Sequence, residues 1–191
     1  MIINADLNFI FVHVPKTAGQ AITRSLPRNK RLKIETHCPL HLVDKGDKYA
    51  FGFVRNPWER MVSLYCFRTQ NPRPGIFDAE RLKREGFEYS VLNNTISRQN
   101  DTNNFNYYNH RDAMWWLDGC DFIGRVETLQ DDFAIVCDKI GIHRRTVKTL
   151  NQSRHGDYRK YHTTKTIEHV AKEHAETIEK FGYSFEDNHS I

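Results

Sequence analysis

Residues Leu7 to Val14 (LNFIFVHV) form a nearly unbroken apolar, β-branched and aromatic run that stops at a proline and a lysine. Such a run has no polar face to turn to water, so it fits a strand covered on both sides, as in a parallel sheet. The turn PKTAGQ follows, and Ala18 to Leu26 continues as a helix that must stop before Pro27. Strand, loop and helix in that order leave few architectures open. The expected fold is α/β, with a largely parallel central sheet flanked by helices in a single domain over residues 1–191.

The same alternation recurs downstream. After the basic connector NKRLK, Leu32 to Thr36 reads as a short second strand, and Pro39 suits the first turn of a helix. Tyr49 to Val54 (YAFGFV) is a further buried strand, and Pro57 to Phe67 a helix with Asn56 as cap and Pro57 at its first position. A helix is expected around Asp78 to Glu85. The Asn-rich stretch after it, through residue 109, has no period and reads as a variable surface loop. Cys120 to Val126 returns to strand character. Thr128 to Ile140 is an amphipathic helix with Thr128 and Asp131 in capping-box spacing, Leu129, Phe133, Val136 and Ile140 facing inward and Gly141 as its stop. Thr164 to Lys180 places Ile167, Val170, Ala171, Ala175 and Ile178 at helical steps. In such a sheet ligands bind at the carboxyl ends of the strands.

Composition removes several function classes. No apolar stretch approaches the roughly 20 residues a membrane-spanning helix needs, and Met1 to Asp6 lacks the basic start and apolar middle of a secretory signal. Cytoplasmic residence is expected. Cys38, Cys66, Cys120 and Cys137 are far apart, with no C-x-x-C pair, and read as reduced thiols. The net charge of +4 favours an anionic partner only weakly and does not separate nucleic acid, nucleotide and acidic glycan.

Two junctions carry the chemistry. At Val14-Pro15-Lys16-Thr17-Ala18-Gly19-Gln20 a strand gives way to a helix, so backbone N–H groups and the helix dipole converge beside the Lys16 charge. That is a place to hold a phosphate, the alternative being an ordinary solvated turn. The segment departs from the G-x-x-x-x-G-K-[ST] phosphate loop, because only Lys16-Thr17 matches it. At the second junction Arg55 ends a strand and Ser63 stands about two turns along the next helix, so a guanidinium and a hydroxyl can meet one phosphate. The alternative pairs Arg55 with Glu59 and leaves Ser63 on a helix surface.

Taken together, HVPKTAG and FVRNPWERMVSLY resemble the 5'-phosphosulfate loop and the 3'-phosphate motif of sulfotransferases that use 3'-phosphoadenosine 5'-phosphosulfate (PAPS), in the carbohydrate-type branch and its bacterial relatives. The resemblance continues through DFIGRVETLQDDF at 121–133 and LNQSRHGDYRKY at 150–161. It implies an α/β fold related to nucleotide kinases, and in-line transfer of a sulfuryl group from PAPS to a hydroxyl, on a glycan or related small acceptor, without a metal. Lys16 would contact the 5'-phosphate and stabilise the leaving phosphate. Thr17, Ala18, Gly19 and Gln20 would supply further loop contacts, and Arg55 and Ser63 would bind the 3'-phosphate. Ser153, Arg154 and Tyr158, in the segment that closes over the nucleotide in the family, and Arg125 after its strand, are further candidate donor contacts.

A hydroxyl acceptor gains from a base as it attacks sulfur, and His is the side chain best matched to neutral pH. In carbohydrate-type relatives a His commonly follows the second strand, and His37 holds that place, with His41 its rival. His13 and His143 read as structural. His37 and His41 lack an H-E-x-x-H pattern or a third ligand, so no metal site is expected. Met114-Trp115-Trp116-Leu117 reads as core or helix face, with a Trp in an acceptor groove as the alternative. Two other function classes compete: a nucleotide kinase or ATPase, which requires magnesium, and a non-catalytic nucleic-acid-binding module resting on the basic segments at 28–33 and 154–160. No nucleic acid partner is expected.

Overall fold

The computed structural model describes residues 1–28, 32–34, 37–72, 78–97, 109–148 and 155–187. The chain falls into two compact units. The first comprises Met1–Arg55, Ala113–Asn151 and His189–Ile191, and the second Asn56–Asp112 and Gln152–Asn188.

The first unit holds the whole sheet. Its strands are β1 (Ile2–Asn4), β2 (Phe9–Val12), β3 (Leu32–Ile34), β4 (Tyr49–Val54) and β5 (Phe122–Arg125), in the order β3-β1-β2-β4-β5. β2, β4 and β5 run parallel, with Val12 beside Gly52 and Val54 beside Arg125. β1 pairs antiparallel with both β2 and β3. The α/β class expected from the alternation is therefore found, with a parallel half and an antiparallel half.

All four residues of β2 are buried, which is why its run carries no polar alternation. The strand is shorter than the apolar run predicts. Leu7 and Asn8 belong to a turn in which the buried Asn4 side chain accepts from the Leu7 N–H at 3.0 Å, folding β1 back onto β2. On one face Phe9, Phe11, Phe51 and Phe53 pack against Ile22 and Leu26 at α1 (Gly19–Ser25) and Phe133, Val136 and Cys137 of α5 (Leu129–Lys139). The expected capping box of α5 is not formed. The Thr128 hydroxyl donates to Asp132 Oδ2 at 2.8 Å, and that oxygen also accepts from the Arg125 N–H at 2.7 Å. A carboxylate already tying β5 to α5 outcompetes the local cap. α4 (Ala113–Leu117) completes the unit, and a short 3-10 turn at Leu40–Leu42 follows Pro39.

The second unit is helical: α2 (Pro57–Gln70), α3 (Ala79–Leu92), a 3-10 turn at Tyr158–Tyr161, α6 (Thr164–Glu173) and α7 (Ala175–Phe181). α2 starts as expected, with Asn56 Oδ1 accepting from the N–H groups of Trp58 and Glu59. α3 runs past Glu85 because Gly86, at φ 79°, turns the chain without ending it. The single terminal helix expected over Thr164 to Lys180 is two. His174 leaves helical geometry, and the first turn of α7 is capped from afar: Asp112 accepts from the Thr177 N–H at 3.1 Å and from its hydroxyl. Beside it the buried Arg60 guanidinium donates to the carbonyls of Asn109 and Arg111. Burial lowers the Arg60 pKa to about 10, with Asp112 opposing the drop. The four cysteines are free thiols, Cys38, Cys66 and Cys137 buried. Among the described residues no helix is long and apolar enough to cross a membrane.

Candidate functional site

β2, β4 and β5 are parallel, so Lys16 in the loop after β2, Arg55 directly after β4 and Arg125, which is the last residue of β5 rather than beyond it, lie toward the same carboxyl-terminal edge of the first unit. The loop after β2 has an unusual backbone. Lys16 (φ 68°) and Ala18 (φ 58°) both take the left-handed conformation, which costs a side-chain-bearing residue of order 1 kcal/mol or more. Thr17 between them is buried and donates its hydroxyl to the Val14 carbonyl at 3.0 Å, locking the turn. Left-handed residues interspersed in a tight turn gather successive N–H groups toward one point, the geometry that receives anions. Ala18 then opens α1, its carbonyl accepting from the Ile22 N–H at 3.1 Å. Gly19 is the buried first residue of that helix and Gln20 is exposed.

His37 reaches this loop from the far side of the sequence. Its Nδ1 lies 3.1 Å from the carbonyl oxygen of His13, and the two imidazole rings are 4.5 Å apart. The Trp116 ring meets His37 edge-on at 6.5 Å and is fully buried. His41, in the 3-10 turn, is exposed and packs on Trp115 at 5.3 Å instead. Arg125, half-buried, is fixed through its backbone to Asp132, and Arg55, half-buried, follows β4 directly.

The remaining candidates belong to the second unit or fall outside the described residues. Ser63 is buried in α2 of the second unit. Tyr158, in the same unit, is buried with its hydroxyl 2.6 Å from the Phe185 carbonyl and 3.3 Å from that of Asp187. Burial pushes its pKa up to about 12. Its ring packs edge-on against Phe185 and His162. Ser153 and Arg154 fall outside the described residues, as does most of the Asn-rich stretch.

A model of the sulfotransferase family matches residues 1–181. The chain belongs to the sulfotransferase family. Neither the curated proteins nor the solved structures compared with it contain a match. The family match spans nearly all of the chain, including both junctions, so this sulfotransferase carries the loop at 13–20 and His37 inside the matched region.

His13, read as structural, and Trp116, read as core, are packed as the sequence suggests, but their closeness to His37 was not legible. His13 and Trp116 touch His37, one through main chain and ring, the other through its ring edge. The signal for His13 was its place at the end of β2, immediately before the loop. For Trp116 it was only the density of aromatic side chains in MWWL.

Proposed function

We propose that this sulfotransferase moves the sulfuryl group of PAPS to a hydroxyl of a carbohydrate or related small acceptor, with His37 as general base. The observation that carries this reading is the loop after β2: left-handed Lys16 and Ala18, a locked Thr17, and the His37 imidazole held against the His13 carbonyl beside it. An anion-receiving turn next to an imidazole suits a reaction in which one phosphate leaves as one hydroxyl loses its proton.

In the proposed step the acceptor oxygen forms a bond to sulfur as the sulfur–oxygen bond to the 5'-phosphate breaks. The hydroxyl proton passes to His37, and 3'-phosphoadenosine 5'-phosphate leaves. Lys16 and the loop N–H groups stabilise the charge gathering on the departing phosphate, so positioning and electrostatics supply the catalysis. Arg55 and Ser63 are assigned to the 3'-phosphate, which distinguishes this donor from ATP. Arg125, Ser153, Arg154 and Tyr158 complete the donor contacts in this reading.

The first test is a thermal-shift comparison of 3'-phosphoadenosine 5'-phosphate with ATP plus magnesium. At about 100 times its dissociation constant a ligand adds roughly 2.7 kcal/mol, about 5–11 °C for a chain of this size. A rise with the 3'-phosphate nucleotide in the absence of metal is expected. A rise with ATP and magnesium alone would replace the proposal with a kinase-like one.

Lys16→Ala and Arg55→Ala should each weaken the 3'-phosphate nucleotide, because each deletes a charge-assisted contact worth about 1.5–3 kcal/mol. That is roughly 10- to 150-fold in Kd, readable by titration calorimetry. Unchanged Kd in both variants would undo the phosphate assignments.

A further inference from the structure

Carbonyl oxygens only accept hydrogen bonds, so the 3.1 Å contact between the His13 oxygen and His37 Nδ1 assigns the proton of a neutral His37 ring to Nδ1. The lone pair is then on Nε2. The same residue's side chain is wedged in place. Its ring stacks on Phe11 at 5.9 Å and 15°, and lies 4.5 Å from the His37 ring. Against it sits the backbone of Gly19: a Cβ there would come within 1.8 Å of His13 Cδ2 and 1.9 Å of Nε2. Only glycine leaves room for that imidazole at the first residue of α1.

His13 is itself poorly suited to be a second base. Burial first, and then the positive charges of His37, the amino terminus and Lys16, hold its pKa well below the usual imidazole range. Near neutral pH it is an uncharged packing piece whose two neighbours are the candidate base and the phosphate loop.

We propose that His13 is the positioning residue of His37: its carbonyl selects Nε2 as the basic nitrogen, and its ring, held between Phe11, His37 and Gly19, ties the setting of that base to the loop that carries Lys16. This rests on His37 as the general base. Gly19 directly follows the left-handed Ala18, so the His13 ring is packed against the segment that carries Lys16. The base is thus set by the same segment that is assigned to the leaving group, as partners behind a reacting side chain commonly fix its orientation and tautomer.

The test is nitrogen-15 NMR of the histidine rings in the full-length chain, with His37→Asn used to assign the His37 signals. The NMR readout needs no acceptor. Wild type should show Nδ1 protonation of His37 enriched about tenfold over free histidine in water, which prefers the other tautomer, the bias of one good hydrogen bond of about 1.4 kcal/mol. Gly19→Ala drives the His13 ring aside and should cut that excess at least threefold. His13→Ala should broaden the His37 signals and lower kcat more than it raises KM for the donor. A wild-type His37 protonated on Nε2 overturns the proposal, and so does a His37 spectrum identical in wild type, Gly19→Ala and His13→Ala. The expected tautomer together with full transfer activity in His37→Ala removes the base assignment instead, so the two failures are told apart.

Discussion

His37→Ala should slow sulfuryl transfer by roughly 10²- to 10⁴-fold, the range lost when a positioned general base is removed. In activation free energy that is about 2.7–5.5 kcal/mol. The affinity for 3'-phosphoadenosine 5'-phosphate should hold, because the base acts on the acceptor's proton and the nucleotide contacts are assigned elsewhere. His37 has φ 48°, so the substitution also changes a residue in left-handed backbone. Asparagine and histidine tolerate that region better than alanine does. His37→Asn therefore preserves the backbone while deleting the base, and it should lose as much activity as His37→Ala. Both are measured as nucleotide product released from PAPS in the presence of acceptor, with the thermal shift by the product nucleotide as control. Full activity in both variants would take His37 out of the mechanism and turn attention to His41.

Legibility in the sequence followed the range of the interactions. β2 and β4 were visible because strands buried on both faces are apolar along their length, and a run such as YAFGFV has few other uses. The start of α2 was visible because its cap is three residues of local chemistry, Asn56 before Pro57 and Trp58. β1 was not: three residues carry no period, and its strand character depends on pairing with Phe9–Phe11 and with β3. The break between α6 and α7 was hidden for a similar reason. Ala171, Ala175 and Ile178 keep helical spacing through it, and the new first turn is capped by Asp112, 65 residues before Thr177 in sequence.

The site divides the same way. Lys16 and Arg55 stand out in the sequence because each follows a strand, and a charge at the carboxyl end of a buried strand is a chemical signal by itself. That Lys16 and Ala18 take left-handed backbone was not readable, since neither is the glycine or asparagine that announces it. The partnership of His37 with His13 spans 24 residues and runs through a main-chain oxygen, which no side-chain pattern reports.

Trp116→Ala should destabilise the protein by about 3–5 kcal/mol, the usual cost of emptying a large aromatic site in a packed core. For a chain of this length that is roughly 6–20 °C in Tm. The residue is 0% exposed, lies on α4, and meets Trp115 edge-on at 5.0 Å and His37 at 6.5 Å. Its indole Nε1 is buried without an acceptor among the described residues. That unmade hydrogen bond already costs stability, about 1–3 kcal/mol for a buried donor. Trp116→Phe removes the donor along with part of the ring, so the two effects oppose and the loss should stay well below that of alanine. Urea unfolding of both variants measures the difference, and a loss under 1 kcal/mol in Trp116→Ala would contradict the packing. The same alanine also strips one wall from His37. At a temperature where the variant remains folded, transfer should therefore fall while the product nucleotide still stabilises it, because Lys16 and Arg55 do not depend on the indole for their charge.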